Sequence, residues 1–99
     1  MPDSFGLIDN AGGVLNSSRD FTATKNGNGY YTLEFDRDVH YAVIVASVRS
    51  FPYCDNQGVG VTVCNETGQP RRVGFMFEDP SRILGFSFML VDGDPCEEG

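Results

Sequence analysis

The stretch that most constrains this 99-residue chain is Phe21–Ser50, FTATKNGNGYYTLEFDRDVHYAVIVASVRS. Phe21, Ala23 and Lys25 alternate with Thr22 and Thr24, a period of two that sets them on opposite faces of a strand. Asn26-Gly27-Asn28-Gly29 follows. Asn and Gly accept positive φ at low cost, so the chain reverses there in a tight hairpin turn. The return strand, Tyr30–Phe35, carries Tyr31, Leu33 and Phe35 on an apolar face and Tyr30, Thr32 and Glu34 on a wettable one. After a second turn at Asp36-Arg37-Asp38, the segment His40–Val48 is apolar on both sides. Ala42, Ile44, Ala46 and Val48 lie on one face, and Tyr41, Val43 and Val45 on the other. Such a strand needs cover on both sides. In a domain this small one cover is its own core; the other is expected to be another subunit.

The rest of the chain repeats the pattern. Phe5–Ile8 reads as a short strand, Asp9–Gly13 as a turn, and Val14-Leu15 as a second extended piece. Gly58–Cys64 (GVGVTVC) puts Val59, Val61 and Val63 on one face, while Gly58 and Gly60 on the other suggest a close neighbour. Asn65–Pro70 is a turn. Arg71–Glu78 follows with Val73, Phe75 and Phe77 inward. Ile83–Val91 closes the series with Leu84, Phe86, Phe88 and Leu90 on one face and Met89 and Val91 on the other. Twelve Gly and five Pro punctuate these runs, and no strong helical window interrupts them. About eight short strands without βαβ alternation predict an all-β chain, an antiparallel β-sandwich or jelly roll. A single domain over 1–99 is expected, with an ordered core from about 5 to 91 and a polar tail at 92–99.

The net charge of −7, with seven scattered basic residues, argues against a nucleic-acid backbone binder and against docking on an anionic membrane surface. No apolar segment approaches the roughly 18 residues of a transmembrane helix. The N-terminus lacks the basic and apolar regions of a signal peptide, so a cytoplasmic protein or one released in a virion or other particle is expected. Cys54, Cys64 and Cys96 are odd in number, which excludes a complete internal disulfide framework. A Cys54–Cys64 bridge across the intervening loop and reduced thiols are the two alternatives. One His and no Cys-x-x-Cys argue against zinc, and neither a cofactor nor a metal is expected.

Chemistry-bearing patterns are sparse. His40 has acids nearby at Asp36 and Asp38, with Ser47 and Ser50 downstream, but no Gly-x-Ser-x-Gly elbow exists. It reads as a strand-end histidine at a surface or interface, and no catalytic residue is expected. Asp36/Asp38 and Asp92/Asp94, each at spacing two, place carboxylates on one side, where Ca²⁺ would fit, although Asp is equally a good turn residue. Glu34 and Glu78 form a glycosidase-like pair only if the fold brings them together. Asn16-Ser17-Ser18 and Asn65-Glu66-Thr67 match the glycosylation sequon and read as turn residues. The loop SFPYCDNQ is unusual for its aromatics. Arg49, Phe51 and Tyr53, with Asp55, Asn56 and Gln57, are the candidate binding residues, since aromatic and Arg side chains favour binding surfaces. The alternative is that Phe51 and Tyr53 plug the end of the sandwich.

The string GLIDNAGGVLNSSRDFTATKNGNGYYTLEFDRDV resembles a pattern in small β domains of bacterial and phage proteins. The matching features are Phe21 to Lys25, Gly27, Gly29, Tyr31, Leu33 and Phe35, and VGFMFEDPSRILGFSFMLV looks like that family's closing hairpin. The resemblance covers roughly Gly6 to Val91. Such domains often end collagen-like or tail-fibre-like chains, and their architecture is similar to the trimeric C1q/TNF-type jelly roll. The resemblance implies a homotrimeric, non-enzymatic binding or assembly module that recognises a glycan or protein surface. The alternatives are a small β-barrel enzyme using His40 as acid/base on a small polar substrate, and a calcium-dependent structural module.

Overall fold

The computed structural model describes residues 3–50, 60–79 and 83–92. The strands are β1 (Ser4–Asp9), β2 (Val14–Ser17), β3 (Phe21–Gly27), β4 (Tyr30–Phe35), β5 (Val43–Ser50), β6 (Val61–Glu66), β7 (Gln69–Phe77) and β8 (Ile83–Val91). They form two antiparallel four-stranded sheets packed as a sandwich: sheet A in the order β2-β1-β8-β5 and sheet B in the order β3-β4-β7-β6. The expected all-β sandwich is therefore the fold.

The period-two pattern decides which side chains meet. Tyr31, Leu33 and Phe35 from β4 and Val73, Phe75 and Phe77 from β7 face Ile8, Phe86, Phe88 and Leu90 of sheet A, and all are buried. Ring centroids lie 5.0 Å apart for Phe75–Phe86, 5.3 Å for Tyr31–Phe86 and 5.2 Å for Phe21–Phe88. Edge-to-face and tilted pairs of this kind add to the area term of core burial. The one phenol in this cluster donates its O–H to the Asn10 carbonyl at 2.7 Å, so Tyr31 is buried without an orphaned polar atom. The same burial pushes its pKa up.

Local geometry follows the turn residues. The β3–β4 hairpin reverses at Asn28-Gly29, where Gly29 has φ +81°, and Asn26 forms a one-residue bulge before it. In the β1–β2 turn the Asp9 carboxylate accepts from the backbone N–H of Ala11 at 3.0 Å and of Gly13 at 2.7 Å.

Three expectations are corrected. Leu84 was expected inward with Phe86, Phe88 and Leu90, but it is 50% exposed. Between Arg49↔Gly85 and Ser50↔Ile83 the β5–β8 register slips by one, so Leu84 is an extra residue and the alternation breaks at it. The bulge sits where the backbones crowd: a Cβ on Gly85 would lie 2.1 Å from the Ile8 carbonyl oxygen. Second, the two-faced strand starts at Val43, not His40, because the Ala42 N–H bonds the Val39 carbonyl in a turn (3.1 Å) with Val39 buried. Third, the β6–β7 turn is only Thr67-Gly68, so β6 runs on to Glu66 and β7 begins at Gln69. The close neighbour expected at Gly60 is the Glu78 carboxylate, 2.9 Å from where a Cβ would stand.

Candidate functional site

Outward positions of sheet A read across the strands as apolar rows. Val43 pairs with Val91, and Val45 with Met89, which pairs in turn with Phe5. These five are 64%, 46%, 66%, 61% and 46% exposed in that order. The face that the sequence left without cover has none within the described chain. The same strand hides Ala42, Ile44, Ala46 and Val48 against the core.

The outer face of sheet B is mainly polar, with Met76 the large apolar side chain exposed on it beside Tyr30. Thr22, Thr24, Asn26, Tyr30, Thr32, Glu34, Glu66 and Arg72 line a shallow groove of about 440 Å³. Its members are locked together. Glu66 Oε2 accepts from the Tyr30 hydroxyl at 3.2 Å and from Thr32 Oγ1 at 3.1 Å, and the Asn26 amide donates to Thr32. Arg72 Nε donates to Glu34 Oε1 at 3.2 Å, with its Nη1 4.0 Å from Glu66 Oε1. Burial first, and then the Glu66 charge against the hydrogen bond from Thr32, leave the Tyr30 phenol pKa raised. Gly74 makes room beneath: Tyr30 ring atoms pass 3.1 Å from where its Cβ would be.

At one end of the sandwich a half-buried guanidinium gathers four segments. Arg37 forks onto Asp92 (Nε–Oδ2 3.0 Å, Nη2–Oδ2 2.7 Å). Its Nη1 donates to Asp20 at 2.7 Å and to Asp36 at 3.2 Å, and its Nη2 to Ser4 Oγ at 2.7 Å. Ser4 in turn donates to Asp20, as does Ser18 at 2.5 Å. Burial pushes the Asp20 carboxyl up, but the bonds from Ser18, Ser4 and Arg37 outweigh it and hold the pKa below 3.8. Charge-assisted bonds to Asp92 lead the upward shift of Arg37.

These contacts show how the described members of the acidic pairs are engaged. Asp36 and Asp38 turn to different groups, Asp36 to Arg37 and Asp38 to the His40 backbone N–H at 2.9 Å. Asp92 is taken up by the guanidinium, and Asp94 lies outside the described residues. Among the described residues no three His, Cys, Asp or Glu side chains converge as a metal site. Glu34 and Glu78 are also separated, the first paired with Arg72 and the second against Gly60. Cys64 is a free thiol directed at the Gly74 carbonyl (3.7 Å), and Cys54 and Cys96 lie outside the described residues.

His40 is exposed and meets the Tyr41 ring edge-on at 4.8 Å. Both border an open depression of about 480 Å³ whose far wall is the β6–β7 hairpin, Asn65 to Pro70. Asp38 lines it too, but its carboxylate caps the backbone rather than orienting the imidazole. Of the candidate binding residues, Arg49 is exposed at the end of β5, opposite Gly85. Phe51, Tyr53, Asp55, Asn56 and Gln57 lie outside the described residues. Sequence reasoning missed the sheet B groove. Its only signal was the Thr22/Thr24 alternation with Glu34 and Arg72 on matching strands, which any solvated face also shows.

Set beside known proteins, the chain matches no family model, no curated protein and no solved structure.

Proposed function

We propose that the domain is a non-enzymatic assembly module whose sheet A outer face packs against further copies of itself, in a trimeric jelly-roll head of the kind the sequence resemblance implies. The observation that carries this reading is the unbroken apolar surface of Phe5, Val43, Val45, Met89 and Val91. All five side chains are between 46% and 66% exposed, and a contiguous apolar patch rimmed by polar residues is a usual mark of a protein contact. No charged side chain stands in these rows, although the chain carries −7. Copies of an acidic protein repel except where charge is absent, and this face is such a place. A basic partner would find no charge there to grip, which favours a second copy. A long apolar edge strand supports the reading, because β5 has no Pro and no charge from Val43 to Val48. In this proposal Arg49 and the adjoining 51–57 segment are left to contact a glycan or protein surface.

Light scattering on a sizing column, with and without reductant, tests it. The expected mass is three chains, insensitive to reductant, and Val45→Asp should return a single-chain mass with an unchanged far-ultraviolet spectrum. A wild-type monomer at micromolar concentration would sink the proposal.

A further inference from the structure

We infer that the groove on the outer face of sheet B binds a neutral oligosaccharide. The inference goes beyond the assembly reading and does not rest on it, since the groove lies on the opposite side of the sandwich.

The groove's chemistry narrows what it accepts. The Thr22 and Thr24 hydroxyls make no hydrogen bond among the described residues, so each offers a donor and an acceptor to a ligand. Glu66, Glu34 and Arg72 are already held by neighbours, which fixes the direction of their remaining lone pairs and N–H groups. A rigid, alternating set of donors and acceptors suits a ligand whose own groups are hydroxyls, each of which also donates and accepts. Binding then costs little side-chain ordering. Other classes fit less well. Two carboxylates around one guanidinium, on a chain of net charge −7, repel anions. The Arg72 guanidinium stands between Glu34 and Glu66, where a cation would have to sit. A mainly polar lining offers little to an apolar ligand.

The length of the ligand follows from Glu66. This side chain lines both the groove and the depression beside His40. There Tyr41 is 61% exposed, and an aromatic side chain beside polar groups packs well against the C–H face of a sugar ring. One ring on the threonines and another near Tyr41, joined past Glu66, make a chain of sugars and not a monosaccharide.

The test is a titration of the isotope-labelled intact chain, followed by amide shifts, with maltotriose, cellotriose and tri-N-acetylchitotriose, and with sialyllactose as an anionic control. At least one neutral trisaccharide should shift the Thr24, Thr32 and Glu34 amides, and sialyllactose should not. Thr24→Val replaces one exposed hydroxyl by a methyl on a strand position that favours β-branched residues. It should weaken binding about fivefold, the worth of one hydrogen bond. Arg72→Ala should weaken it further. The inference is overturned if no neutral trisaccharide moves these amides, if the shifts cluster elsewhere, or if binding is indifferent to both substitutions. A monomeric mass in solution would leave the result intact.

Discussion

The two sheets bury much the same inner face and present opposite outer ones. Inward, Phe75 of sheet B and Phe86 of sheet A are interchangeable in kind: both are fully buried, with rings 5.0 Å apart. Outward, sheet A carries Phe5, Val45 and Met89 in one cross-strand row, whereas the row through Thr24 and Thr32 in sheet B is polar. Folding a sandwich demands only the inner pattern, so the outer positions are free to record something else. One face was left hydrophobic at the expense of solubility and the other was built into a hydrogen-bonded network. On the two readings proposed above, that difference corresponds to two kinds of contact, one with protein and one with small polar groups.

The comparison can be broken at several points, and the interior gives the largest effect. Phe86→Ala removes a ring shared by both sheets and should cost about 3–5 kcal/mol in urea unfolding, irrespective of either outer face. A cost below about 1 kcal/mol would mean that the sheets are not packed through this ring.

Next comes the Arg37 cluster, which ties Ser4 and Asp92 of sheet A to Asp20 and Asp36 at the ends of β3 and β4. Arg37→Ala strands the carboxylates and should cost about 2–3 kcal/mol at neutral pH. The pH dependence sharpens this. The folded pKa of Asp20 is below its ordinary 3.8, so as pH falls the unfolded chain takes up the proton first. The wild-type stabilisation is therefore complete above that value and is lost as pH drops through the folded pKa. In Arg37→Ala the Asp20 carboxylate loses one of the bonds that hold its pKa down, so this acid-side loss of stability should shrink. Parallel stability curves for the two proteins between pH 3 and 7 would refute the role given to this cluster.

The outer faces themselves should give smaller changes in stability and a clear split in association. Val45→Thr and Thr24→Val are mirror exchanges, each expected to alter unfolding free energy by less than about 1 kcal/mol. Val45→Thr should weaken self-association several-fold in sedimentation, and Thr24→Val should leave it unchanged. An equal response from both would erase the distinction between the faces. Smallest of all is Cys64→Ser. Its thiol makes a long contact to the Gly74 carbonyl, and the substitution should leave mass and melting temperature the same with and without reductant.

How far the sequence foretold this depends on the range of the forces involved. The 21–35 hairpin was legible because alternation and Asn-Gly turn chemistry are local. The uncovered face of β5 was legible because seven apolar residues between Tyr41 and Val48 cannot all point inward. Leu84 was misread because its bulge arises from the approach of Gly85 to Ile8, a contact between strands far apart in the chain. The cluster around Arg37 was invisible for the same reason, with Asp92 lying 55 residues away. The groove depends on β4 lying beside β7, a pairing that no local pattern of threonines and glutamates specifies. Of the predicted binding residues, only Arg49 falls within the described chain.

The antiparallel pairing of β1 and β8, with Ser4 opposite Leu90, has a mechanical consequence. Ser4 and Asp92 leave the sandwich side by side, so tension between them loads the ladder as a zip, one pair at a time, and not in shear. The first rungs to meet that load sit beside the Arg37 guanidinium, which grips Ser4 and Asp92 together. It acts as a rivet at the mouth of the zip: while it holds, Ser4 and Asp92 stay together and the rungs behind them are not loaded one by one.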